Sequence, residues 1–158
     1  TGTPADPIYY SIKNVYAHGA TYIVNAANPP ATCPPGGGYT DTGYAVLNIY
    51  QTLSMGGQGV VQPNTAKASS LSINVYNSGS NTGDSVTLTG QANLKAIVTA
   101  LGDAKLGGGG SGGAFYGSLL AGSITDMGTY SVHYDMSLQV LSGKLMPMSI
   151  RNYNRPKF

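Results

Sequence analysis

The sequence predicts an all-β fold: a short β-solenoid stack preceded by an irregular, Tyr-rich region of strand and loop. Three observations predict it. The first is alternation. Val86, Leu88, Gly90, Ala92, Leu94, Ala96, Val98 and Ala100 hold every even position of one run, with Thr, Gln, Asn and Lys at most odd ones. A period of two is what a half-buried strand requires. The second is composition. Charged residues make up 9% of the chain, against about 25% in a typical domain, and all six acidic residues are aspartate. The long Glu, Lys and Arg stems that coat exposed helices are therefore scarce. The third is a loose repeat. Ala96-Ile97-Val98-Thr99-Ala100 matches Gly117-Ser118-Leu119-Leu120-Ala121, and Leu106-Gly107 matches Met127-Gly128 at the same step along the chain. Turns of about 20 residues with glycine corners fit coils that stack their strands at about 4.8 Å.

The 158 residues suffice for one domain with a real core. It divides into an N-terminal arm and loop region (1–43), a β-rich body with solenoid coils (44–143) and a basic tail (144–158). Thr3-Pro4-Ala5-Asp6-Pro7 is a stiff, extended opening, because proline fixes its own φ and biases its predecessor. Ile8 to Val24 carries enough β-branched and aromatic residues for one or two strands. Asn28 to Gly38 reads as a long loop holding Cys33, the only cysteine. Tyr44 to Leu53 reads as strand, ended by Gly56-Gly57-Gln58-Gly59, and Val60-Val61 as a short strand.

From Leu71 the pattern sharpens. Leu71, Ile73 and Val75 alternate with Ser72 and Asn74, and Asn77 to Gly83 is a polar turn. The Val86–Ala100 run is long for one strand, so Gly90 is read as a corner that splits it. The glycine run 107–113 is read as a native loop between coils, since no GKS or GKT follows to make a phosphate cradle. From Tyr130 to Val140, alternation places Val132, Tyr134, Met136, Leu138 and Val140 on one face. The predicted inward positions are Leu88, Leu94, Val98, Ile124, Val132 and Met136, in a solenoid from about Leu71 to Leu141.

No catalytic, metal or cofactor set emerges. Ser131, His133 and Asp135 share one strand face, but side chains projecting in parallel from one strand do not converge as a triad must. Their expected task is to satisfy backbone groups at the end of the stack. Asp103 and Asp126 fall at roughly corresponding turn positions, where aspartate ordinarily caps. The single cysteine and two distant histidines make no metal-binding spacing. The chain is therefore read as a non-enzyme with no cofactor.

Binding surfaces are read from the tyrosines and the tail. Twelve tyrosines stand against two phenylalanines, which favours aromatic surface with a polar tip. Tyr9, Tyr10, Tyr16, Tyr22, Tyr39, Tyr44 and Tyr50 lie in the first third, suited to a subunit interface, a sugar or a base. Lys144, Arg151, Arg155 and Lys157 form a tail without acids, although the net charge of +2 alone indicates no polyanionic partner. Tyr9, Tyr10, Arg151, Arg155 and Lys157 are the candidate partner contacts. No apolar run approaches the roughly 18 residues that a membrane-spanning helix needs.

Val86 to Leu138 resembles the C-terminal β-solenoid domain of PilX-like proteins associated with type IV pili. The resemblance rests on the glycine run, the FYGSLLAGSI turn (Phe115 to Ile124) and the closing Gly128, Val132, His133, Tyr134, Asp135 and Leu138. It covers about a third of the chain. It implies an extracellular or cell-surface structural subunit of a pilus or filament, partnered by copies of itself or by other pilus subunits, in assembly or adhesion. A related solenoid in a competence pseudopilin is proposed to meet DNA at a pilus tip. A DNA-binding receptor is accordingly the alternative expectation, and a carbohydrate-binding adhesin another.

Overall fold

Parallel pairing organises the chain. A computed structural model describes residues 7–24, 43–65, 67–77, 85–108, 112–135 and 138. They are nearly all β: β1 (Ile8–His18), β2 (Thr21–Val24), β3 (Ala45–Gly56), β4 (Val60–Pro63), β5 (Leu71–Val75), β6 (Val86–Thr89), β7 (Asn93–Ala100), β8 (Ala104–Gly108), β9 (Ala114–Leu120), β10 (Ile124–Gly128) and β11 (Ser131–His133). One 3-10 turn, Ala68–Ser70, precedes β5.

The long strands bend and serve two ladders each, so the pairings resolve into three parallel ladders. Ladder A runs through the first halves of β1 and β3, then β5 and the second halves of β7 and β9. Along it Tyr10 pairs with Leu47, Leu47 with Ile73, Ile73 with Val98 and Val98 with Leu119. Ladder B runs through the second halves of β1 and β3, then β6, β8 and β10, in the column Val15, Leu53, Val86, Ala104, Ile124. Ladder C joins β2, β4, the starts of β7 and β9, and β11, in the column Tyr22, Val61, Leu94, Phe115, Val132. Successive tiers thus place like residues over like. Leu53, Leu71, Ile73, Val86, Leu88, Leu94 and Phe115 are fully buried between them. In-register parallel stacking gives each apolar side chain a neighbour above and below, which the even positions of the Val86–Ala100 run anticipate.

The corner between ladders B and C explains the glycines. Gly57, Gly90 and Gly128 occupy it with φ of 59°, 65° and 130°. A Cβ on Gly90 would lie 3.1 Å from the Gly57 nitrogen. At Gly90 a side chain is therefore disfavoured twice over, by φ and by the tier beside it. Gly90 does split the long run, with β6 ending at Thr89 and β7 starting at Asn93.

The structure corrects several expectations. Leu88, Leu94 and Val98 are buried as predicted, but Ile124 is 50% and Val132 56% exposed. Both do sit at core-side register positions, beneath Ala104 and Phe115; they are exposed because no described tier covers them. Met136 lies outside the described residues. The expected ten-residue strand is short: β11 spans Ser131–His133 and is exposed throughout, as is Tyr134, while Leu138 is buried. Parallel pairing also begins at Ile8, well before Leu71. Asp126 is no turn residue but lies inside β10.

Candidate functional site

A tier inside the stack has its backbone N–H and C=O groups paired on both sides. Among the described residues a tier at either end leaves one row without a strand partner, and such rows are where further backbone can pair. The candidate site is accordingly the pair of end tiers.

The first end is formed by β1 and β2. Its core-side positions, read from the register, are Ile8, Tyr10, Ile12, Val15, Ala17, Tyr22 and Val24. Val15 and Ala17 are buried, whereas Ile12 and Tyr22 are substantially exposed. Between them opens a cavity of about 290 Å³, walled by Tyr10, Ile12, Tyr22 and Val24 and floored by Leu47 and Val61. The Tyr22 hydroxyl donates to the Tyr16 carbonyl at 3.2 Å. Tyr9, 66% exposed, projects from ladder A, and the exposed Tyr16 projects from ladder B. The tyrosines thus ring the tier on different faces and do not align in one planar row. Of the two candidate tyrosine contacts, Tyr9 stands outside and half-buried Tyr10 faces the cavity.

Further along the stack, exposed Tyr50 lies on Tyr76 with ring centroids 5.9 Å apart and planes at 27°. Asn48 binds this pair to the sheet, accepting from the Asn74 amide at 3.1 Å and the Tyr76 hydroxyl at 3.2 Å. Tyr39 lies outside the described residues.

The last end is formed by β10, β11 and the second half of β9. Its core-side positions include Leu119, Ile124, Asp126 and Val132. On the outer surface of ladder C, His133 stacks on Tyr116 with centroids 4.8 Å apart and planes at 14°, and Lys95 Nζ lies 5.6 Å from that ring. The register stacks these side chains over one another, and the imidazole is held by a ring face where a backbone group was expected. Asp135 does serve the backbone: its Oδ2 accepts from the Ala68 N–H at 3.2 Å, tying the segment after β11 to the 3-10 turn. Asp103 braces a turn. Its Oδ1 accepts from the Ser123 hydroxyl at 2.7 Å, and its carbonyl from the Ser85 N–H at 2.8 Å.

The structure brings Gly128, Val132, His133, Tyr134 and Asp135 together at the last tier, while Arg151, Arg155 and Lys157 lie outside the described residues. Lys95 and Lys105 stand on ladders C and B, and Lys13 at the bulge of β1. These described lysines form no continuous stripe. No group of three or more His, Cys, Asp or Glu able to hold a metal occurs among the described residues.

Sequence reasoning missed Tyr130. Its buried hydroxyl donates to the Ala92 carbonyl at 2.7 Å, and burial pushes its pKa well up, keeping it a donor. It opens the alternating run from Tyr130 to Val140, but the pattern does not distinguish a tyrosine whose hydroxyl is buried from one that is exposed, such as Tyr134. Among the described residues no helix is long and apolar enough to cross a membrane. Comparison of the chain with protein families, with curated proteins and with solved structures finds no match.

Proposed function

We propose that the chain is a non-enzymatic structural subunit of an extracellular pilus or surface filament, with a short β-solenoid as its rigid body. Its partners are copies of itself or other pilus subunits, and its role is subunit assembly or surface adhesion. One observation carries the reading: the first tier of a parallel stack presents a strand edge that no other described strand pairs, with exposed aromatic residues and an apolar cavity on the same end. A strand from a neighbour can extend such an edge, its backbone giving affinity and its alternate side chains giving register. The resemblance of Val86 to Leu138 to PilX-like proteins supports the same reading and the cell-surface location. The placement of the tyrosines on separate faces favours an interface over a flat sugar-binding platform. The scatter of Lys13, Lys95 and Lys105 gives a DNA receptor less support than a continuous stripe would.

The test is truncation. A chain lacking residues 1 to 7 is expected to keep its β circular-dichroism signal and lose incorporation into filaments, because the arm leads directly into β1. Normal incorporation of the truncated chain would remove the N-terminal arm as the contact and transfer that role to the tail.

A further inference from the structure

One core-side column breaks its own rule. Along ladder B, Ala17 pairs with Met55, Met55 with Leu88, Leu88 with Leu106, and Leu106 with Asp126. The first four are buried, three of them completely. Paired residues of a parallel ladder share a face, so the Asp126 carboxylate projects toward the side where the next tier of core would lie. It is exposed because no described tier follows it. Lys105 pairs with the neighbouring Thr125 and so occupies the opposite face. Asp126 has no hydrogen bond or ion pair among the described residues. It is the one charged side chain at a core-side ladder position among them.

The two ends are otherwise matched. The last-tier strands of ladders A, B and C occupy the same columns as the first-tier strands of those ladders, and all run parallel. A second copy added coaxially would continue each column, setting its Tyr10 beyond Leu119 and its Tyr22 beyond Val132. On ladder B it would set Ala17 on Asp126. Among the described residues, the groups then around the carboxylate would be Ile124, Gly128, Val15 and Ala17, none of them a cation. Burying an unpaired carboxylate is among the costliest things an interface can do, and inward-pointing charge is a known guard on sheet edges.

We propose that Asp126 closes the last end of the stack to a second copy of the chain, so that the molecule has one joining end and one terminating end. That the joining end is the first one rests on the function proposed above. Closure of the last end does not, and it is tested on the isolated chain without any filament.

The experiment compares wild type, Asp126→Leu and Asp126→Ala by sedimentation velocity and electron microscopy over a range of concentrations, with circular dichroism confirming the fold. The neutral variants are expected to associate end to end about 100-fold more strongly than wild type. A double variant, Thr125→Asp with Asp126→Leu, keeps the net charge but turns the carboxylate outward, and is expected to associate as well. Adding Ile12→Asp to Asp126→Leu is expected to reverse the association by placing a charge in the opposite end of the joint. Three results each overturn the proposal: folded neutral variants with the wild-type size distribution, association that Ile12→Asp leaves intact, or wild type that itself grows coaxially. Should Asp126→Leu fail to fold, the Ala variant carries the same decision.

Discussion

Tyr130 shows how much one hydroxyl can organise at the end of a stack. Its ring is buried beside ladder C, and its O–H reaches the carbonyl of Ala92, which also accepts from the Ala114 N–H at 3.0 Å. Replacing it with Phe removes one bond while leaving the carbonyl a partner, so Tyr130→Phe should cost about 1 kcal/mol, read from urea unfolding. The same residue makes a pH prediction. Burial raises the folded pKa above the ordinary value of 10, so above that pH the unfolded chain loses a proton that the folded one keeps. The contribution is therefore full below pH 10 and shrinks as pH rises beyond it. Wild type should lose stability with alkalinity more steeply than Tyr130→Phe. Parallel declines in the two proteins would show that the hydroxyl is not buried as described.

Elements are where sequence and structure compare most closely. The step from Ala96 to Gly117 read from the residues is the register of β7 on β9 itself. The step from Leu106 to Met127 misses by one, since Gly107 pairs with Met127: the corner from β9 to β10 is one residue shorter than that from β7 to β8. Such a slip leaves both strands legible but reassigns their faces; Asp126, read as a turn residue by its likeness to Asp103, instead pairs with Leu106. Strands at Ile8 to Val24 were legible as strands, yet not as a tier of the stack, because the segment between β2 and β3 is too long to show the period. Glycines at corners were legible by spacing, though only the structure separates those that must be glycine. Gly90→Ala meets a positive φ and the Gly57 backbone at 3.1 Å, whereas Gly122→Ala meets nothing nearer than 3.4 Å. The first should cost about 2 kcal/mol or more and the second under about 1, compared by urea midpoints. Equal costs would mean that tier-on-tier contact at the B–C corner does not limit the stack.

At the scale of the molecule, a stack of parallel tiers has a direction, and its two ends differ chemically. The core-side positions of the first tier are all uncharged, and those of the last tier include Asp126. In the proposed assembly, what would join at the first end is therefore backbone, tyrosine and aliphatic surface, none of which salt screens appreciably. The tail residues Lys144, Arg151, Arg155 and Lys157 offer the contrary kind of contact, long-range and charge-based. The two can be told apart by ionic strength, because the screening length falls from roughly 14 Å at about 0.05 M to roughly 4 Å at about 0.5 M. Assembly through the first end should change by less than about threefold over that range, measured as the association constant by sedimentation equilibrium. Contact through the tail, or with a nucleic acid, should weaken by orders of magnitude, since each released counterion adds to the salt slope. A steep salt dependence would thus move the joint from the strand edge of β1 and β2 to the basic residues beyond Leu138. Apolar burial at the cavity also predicts that mild warming strengthens the joint before it melts the body, as the hydrophobic contribution grows with temperature near ambient conditions.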